Sequence, residues 1–103
     1  MHIPIKTPQE LGLAIRATRR AQKVRLDDVS GSAGVGHVFT REVEHGKETV
    51  QLGRVLRLLE ELGIELMVDV PEEAMAELAR LRETGLRPLK PRASRTPAKA
   101  GTT

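Results

Sequence analysis

The sequence predicts a mainly α-helical chain: about four helices and one short strand over residues 1–70, an extra helix over 71–86 and a basic tail over 87–103. Three observations predict it. Apolar residues recur at three- and four-residue steps through most of residues 8–62, the period of a helix face. Glycines stand where each run of periodicity stops, at Gly34, Gly46, Gly63 and Gly85, as helix ends that turn left-handed require. One stretch, Ile64–Val70, alternates apolar and polar with the period of a strand.

Residues 24–47 organise the chain. Val24, Val29, Ala33, Val35, Phe39 and Val43 are apolar, and from Val35 onward the step is four, the spacing of one helical face. The pattern predicts a short helix from about Leu26 to Ala33, ended by Gly34. A second helix of about ten residues, roughly 15 Å long, opens at Gly36 and stops at Gly46. Two short helices joined by a glycine-containing turn make a DNA-binding geometry, with the second helix as reader.

The run Ala33-Gly34-Val35-Gly36, followed by Val43-Glu44-His45-Gly46-Lys47, resembles the Xre-type helix-turn-helix of phage repressors. The family pattern is roughly A-G-V-S, six variable positions, then I-E-x-G-K. With the segment after Lys47 included, the chain is more similar to the HipB-like (Y4mF-like) antitoxins of toxin–antitoxin pairs. The resemblance spans about residues 8–70 and implies a lambda-repressor-like fold. Three positions depart from it. Leu26 stands where the family has a phosphate-contacting Gln, Arg25 where a Ser or Thr cap is usual, and Thr40 at an aliphatic site. The third implies that Phe39 carries more of the packing.

Carried over residue by residue, the resemblance places base reading on His37, Val38 and Arg41, with Glu42 a weaker candidate. His37 can donate or accept at a base edge. Val38 can touch a thymine methyl, and Arg41 suits guanine or a phosphate. Glu42 can accept from cytosine, but near phosphates a carboxylate more often repels. Phosphate binding falls on the backbone at Gly36 and on His45, Lys47 and Thr49, the first because a helix N-terminus offers free N–H groups. Family members also pair an arginine at position 19 with the motif glutamate, which implies a structural ion pair between Arg19 and Glu44. Ordinary surface is the competing reading of His37, Val38 and Arg41.

One hundred and three residues suit one small domain with a tail, marginal alone and helped by association. There is no cysteine, hence no disulfide framework and no cysteine metal site. No apolar run approaches the roughly eighteen residues that span a membrane. The start, MHIPIK, has no apolar stretch of signal-peptide length. The expectation is a cytoplasmic protein. The sole aromatic is Phe39, which argues against stacking single-stranded bases on several aromatics.

The net charge is +3, unevenly spread. Residues 1–58 hold ten basic and six acidic side chains, residues 59–86 two basic and eight acidic, and residues 87–103 five basic and none acidic. A DNA-facing front and a separate partner surface would look like this, and so would mere solvation.

Along the chain, Thr7-Pro8-Gln9-Glu10 is a helix start with a capping box. Leu11, Ala14, Ile15 and Thr18 form its buried face; Arg16, Arg19, Arg20 and Lys23 lie mostly off it. After Lys47, Val50, Leu52, Val55, Leu56, Leu59 and Leu62 predict an amphipathic helix. In the strand beyond it, Ile64, Leu66, Val68 and Val70 share one face. One strand cannot satisfy its own backbone groups. Pairing with a second copy about a two-fold axis answers this, as the antitoxin resemblance also implies; an irregular extension packed on the same subunit is the alternative. Pro71 opens a further helix with Glu72 and Glu73 in its first turn and Met75, Leu78 and Leu81 as its substantial apolar groups. Residues 87–103, rich in Pro, Ala and basic side chains, cannot bury enough surface to fold alone.

No catalytic constellation stands up. His2, His37 and His45 are scattered, the adjacent Asp27 and Asp28 share no helix face, and no glycine loop fits a nucleotide motif. Neither enzyme chemistry, metal nor cofactor is expected. The resulting expectation is a homodimeric DNA-binding repressor of a palindromic operator, of the antitoxin type. It would regulate its own operon and hold a toxin, a HipA-like kinase, through its acidic C-terminal half. A stand-alone regulator without a toxin and a protein-interaction module on the same fold are the alternatives.

Overall fold

The computed structural model describes residues 1–85; the basic tail expected over residues 87–103 lies outside them. Five helices are present among the described residues: α1 (Pro8–Ala21), α2 (Leu26–Ala33), α3 (His37–Glu44), α4 (Leu52–Leu62) and α5 (Ala74–Glu83). Two compact units are distinguished, Met1–Met67 and the part from Val68 onward.

In the first unit, α1 opens with the capping box that its sequence promises. Thr7 Oγ1 accepts from the Glu10 N–H, and the Glu10 carboxylate accepts from the Thr7 N–H. The far end of α1 has no glycine. Lys23 takes the left-handed conformation there, at φ 60°, and the Val24 N–H reaches back to the Arg19 carbonyl at 3.0 Å. Glycine would fill that position without a Cβ penalty.

The core is built from every one of the first four helices: Ile15 of α1, Val29 and Ala33 of α2, Val43 of α3, and Val55, Leu58, Leu59 and Leu62 of α4. α2 packs on both α3 and α4, and α1 lies against the same two helices. With α1 and α2 both seated on it, α3 is fixed along its inner side and keeps its outer face open.

Three expectations change. The buried stripe of α4 is Val55, Leu58, Leu59 and Leu62, whereas Leu52 and Leu56 point outward at 63% and 40% exposure. The expected stripe included Leu52 and Leu56 and omitted Leu58. α4 spreads its apolar residues over nearly half its circumference, so periodicity alone does not select the inward arc. Next, α3 has eight residues rather than ten. Its C-cap is His45, and Gly46 follows at φ 83°. Finally, Phe39 is only partly buried, while Thr40 is wholly buried. The site at Thr40 is polar because the Ser30 hydroxyl of α2 faces it.

No strand is present among the described residues, and residues 64–70 form neither helix nor strand. A strand is defined by its ladder, and no ladder forms among the described residues. Ile64 packs against the core, while Leu66 and Val68 are exposed.

In the second unit, α5 begins three residues later than Pro71. The Ala74 N–H bonds to the Pro71 carbonyl and the Met75 N–H to the Glu72 carbonyl. Glu72 and Glu73 therefore lie in a turn ahead of the helix instead of in its first turn. No residue of α5 is buried, and its surface carries a Glu77–Arg80 ion pair one turn apart.

Candidate nucleic-acid interface

The joint between α2 and α3 is three residues long, Gly34-Val35-Gly36. Gly34 ends α2 at φ 73° and donates to the Gly31 and Ser30 carbonyls, and the Val35 N–H also bonds to the Ser30 carbonyl at 2.9 Å. The turn is thereby closed on the end of α2, and it delivers Gly36 as the N-cap of α3.

A buried hydroxyl pair holds the two helices at a fixed angle. Ser30 Oγ and Thr40 Oγ1 are 2.6 Å apart. Ser30 Oγ is also 2.7 Å from the Leu26 carbonyl, and Thr40 Oγ1 is 3.1 Å from the Gly36 carbonyl. Two hydroxyl protons can fill only two of these three oxygen–oxygen contacts at once, and each hydroxyl has a backbone acceptor within reach. Thr40 is thus satisfied at a site where burial without a partner would be costly.

On its inner face α3 presents Thr40, Val43 and Glu44, all buried. On the outer face stand His37, Val38 and Arg41, all exposed, Val38 by 52%. They occupy i, i+1 and i+4 at the start of the helix, so their side chains share one surface. Gly36 adopts an extended conformation, φ −77° and ψ 154°, with no side chain capping the first turn of α3. A Cβ placed at Gly36 would meet nothing within 4 Å. No side chain thus occupies the leading N–H groups of this helix.

The expected side-chain phosphate contacts fall at the other end of α3 and beyond it. His45, Lys47 and Thr49 are exposed. The His45 ring nitrogen Nδ1 lies 2.8 Å from the Arg41 carbonyl. A carbonyl only accepts, so Nδ1 carries the hydrogen, and Nε2 becomes a donor only in the imidazolium form. Glu42 is turned toward Lys47 rather than toward the helix N-terminus: Lys47 Nζ and Glu42 Oε2 are 3.2 Å apart. The structure thus groups His37, Val38 and Arg41 at one end, and Glu42 with Lys47 at the other.

Arg19 and Glu44 are brought together under this surface. Arg19 Nε donates to Glu44 Oε2 at 2.6 Å and Nη2 to Glu44 Oε1 at 3.1 Å. The remaining Nη1 donates to the Val24 carbonyl at 3.0 Å. The hydrogen bond to Glu44 raises the Arg19 pKa above the ordinary guanidinium value, against the opposing effect of burial. A raised pKa of a basic group contributes stability below its unfolded value that is lost as pH rises through the folded one. For a guanidinium that loss lies far into alkali, so the Arg19 charge is present throughout the neutral range.

One glycine and one arginine matter here that sequence reasoning did not single out, and Gly46, expected only as a helix stop, has a packing role as well. A Cβ at Gly12 would lie 2.5 Å from the Val43 carbonyl oxygen and 2.6 Å from that of Glu44. Only glycine lets α1 approach the end of α3 so closely. The visible signal was a glycine inside a helical pattern, which marks close packing or a bend. Gly46 has the same role with a positive φ added, since its Cβ would lie 2.6 Å from Gln9 Cγ. Arg57 of α4 reaches across to the turn, its Nη1 being 3.6 Å from the Cβ position at Gly34. No spacing rule reveals that approach, because it arises from the packing of α4 on α2.

Among the described residues no helix is long and apolar enough to cross a membrane, and no three His, Cys, Asp or Glu side chains cluster as metal ligands would.

No family model matches the chain. It is 42% identical over 69 residues to an uncharacterized HTH-type transcriptional regulator, y4mF, of Sinorhizobium fredii, a match that covers 67% of this chain and 91% of that protein. Among solved structures it is similar to a chain of a HipA–HipB–O2–O3 complex, with TM-score 0.63 and 14% identity over 69% of this chain and 100% of the other. It is also similar to the restriction-modification controller protein C.AhdI from Aeromonas hydrophila, with TM-score 0.52 and 26% identity over 56% of this chain and 88% of that one. At 14% identity the former likeness is one of fold.

Proposed function

The chain belongs to the Xre-type helix-turn-helix transcriptional regulators, with the y4mF protein among its relatives, and we propose that it is a sequence-specific repressor acting as a homodimer on a palindromic operator. The observation that carries this reading is the outer face of α3, where exposed His37, Val38 and Arg41 stand at an N-terminus that no side chain caps. An α-helix end of this kind fits the major groove. Arg41 would read guanine, Val38 a thymine methyl, and His37 a base edge as donor or acceptor. The backbone at Gly36, together with His45, Lys47 and Thr49, would grip phosphates and set the register. Glu42 remains the weaker base-reading candidate, since its carboxylate already has a partner in Lys47.

The dimer would form through residues Ile64, Leu66, Val68 and Val70, each copy supplying one strand of a two-stranded ladder. The partner beyond DNA would be a toxin, a HipA-like kinase held through the acidic residues of 59–86. The fold likeness to a chain of the HipA–HipB complex supports this, as does the separation of a basic front from an acidic back. A kinase-like reading frame beside the gene, whose product binds this chain, would support the antitoxin role. A neighbourhood without one would favour a stand-alone regulator.

The DNA reading is tested by selecting duplexes from a random pool and titrating them across salt concentrations. Arg41→Ala should cost about 1–3 kcal/mol on a selected duplex and relax one position. Lys47→Ala should weaken all duplexes alike and reduce the salt slope by about one. Wild-type affinity in both variants would remove the basis for the reading.

A further inference from the structure

We infer that Glu42 is a competitor for Lys47: it holds the lysine that DNA phosphate must capture, and so sets how tightly the reader engages any duplex. The inference rests on the proposed DNA reading and gives Glu42 a role other than base recognition.

The geometry is local and complete. Lys47 Nζ lies 3.2 Å from Glu42 Oε2, and the Lys47 N–H bonds to the Glu42 carbonyl at 3.0 Å. The lysine is therefore tied by its backbone to the residue whose side chain neutralises it. Both side chains remain accessible, at 46% and 40% exposure, so the pair is screened and can open. No other acidic side chain pairs with Lys47 among the described residues. A phosphate oxygen seeking Lys47 must displace the Glu42 carboxylate, leaving that carboxylate near the nucleic-acid backbone without its cation. The exchange carries a penalty that is the same for every sequence, because phosphates carry no sequence information.

Two roles of Glu42 therefore predict opposite signs. As a base reader, Glu42 accepts from cytosine, and Glu42→Gln weakens binding to selected duplexes while leaving random ones alone. As a competitor, Glu42→Gln tightens binding to selected and random duplexes alike. The gain is bounded by the strength of an exposed ion pair, so about two- to fivefold at low salt.

General repulsion between a carboxylate and DNA would also give a gain, and a double-mutant cycle separates it. Competition acts through Lys47, so Glu42→Gln placed on Lys47→Ala should change affinity by less than about 1.5-fold, within the additivity error of such cycles. The measurement is fluorescence anisotropy of the full chain on a pool-selected duplex and on a random-sequence duplex, for wild type, both single variants and the double variant. A gain on both duplexes that vanishes in the Lys47→Ala background is the expected result. A loss on the selected duplex, no change, or an equal gain with and without Lys47 overturns the inference while leaving the DNA reading in place. No binding of either duplex by the wild type overturns both.

Discussion

Arg19 places all three of its guanidinium nitrogens on acceptors within the fold, and Glu44 places both oxygens on Arg19. The partners differ in how much water they see, 13% exposure for Arg19 and 2% for Glu44. That difference decides the cost of breaking the pair. With Glu44 removed, Arg19 keeps the Val24 carbonyl and can turn its head toward solvent. With Arg19 removed, a carboxylate stays buried without a cation. Glu44→Ala should therefore lose about 3 kcal/mol, the lower end for a broken buried pair, and Arg19→Ala about 5 kcal/mol. Against a total of about 5–15 kcal/mol for a small domain, either loss is severe. Urea unfolding of both variants measures this, and a Glu44→Ala midpoint equal to wild type would show that the pair contributes nothing. The hydroxyl pair behaves differently. Thr40→Val leaves Ser30 its Leu26 acceptor, and Ser30→Ala leaves Thr40 its Gly36 acceptor, so neither change strands a buried donor. This is why a polar pair can occupy a site where the family resemblance implied an aliphatic group, and why Thr40, not Phe39, is the wholly buried one.

At the scale of elements, the helix ends show how sequence and geometry agree and where they part. Gly34 and Gly63 close α2 and α4 at φ 73° and 74°, and both were legible as glycines after a periodic run. The end of α1 was not, because Lys23 stands in the left-handed position. That conformation costs a non-glycine residue about 1–2 kcal/mol, partly offset by the entropy that glycine would lose on folding, about 0.5–1 kcal/mol. Lys23→Gly should gain about 0.5–1 kcal/mol and raise Tm by about 3–6 °C. Lys23→Ala keeps the Cβ and should not gain; calorimetry of the two variants tests the strain, and equal Tm values would refute it. The capping box of α1 and the two-helix motif were legible for the same reason as Gly34: each is written in residues close along the chain. The inward arc of α4, the Gly12 approach and the reach of Arg57 to Gly34 depend on which helix lies opposite. Val55, Leu58, Leu59 and Leu62 were all visibly apolar, but only the seat of α2 on α4 turns Leu52 and Leu56 outward.

For the whole molecule, the governing quantity is the apolar surface that one chain leaves open. Leu66 and Val68 are exposed by 55% and 76% in the single chain, yet they alternate with Glu65, Met67 and Asp69 as a half-buried strand does. An extended segment with unpaired N–H and C=O groups is a template for another strand. Its own counterpart about a two-fold axis would pair the facing row of groups of each copy and join the two apolar faces into one. The same axis would set the separation of the two reader helices, which must match half-sites about 34–36 Å apart. Quaternary structure and DNA recognition are then linked through a segment that touches no DNA. Leu66→Pro removes a backbone donor and fixes φ, which a central ladder position tolerates badly. The substitution lies outside every helix and every buried position of α1–α4, so the reader should stay folded. The variant should be more monomeric and should lose most of its affinity for a full palindrome while keeping the weak affinity of wild type for a half-site. Sedimentation velocity, read beside titrations of both duplexes, tests the link. If the variant remains a dimer with wild-type affinity, the segment is not the clasp, and the outward face of α4 with Leu52 and Leu56 becomes the surface on which two copies would meet.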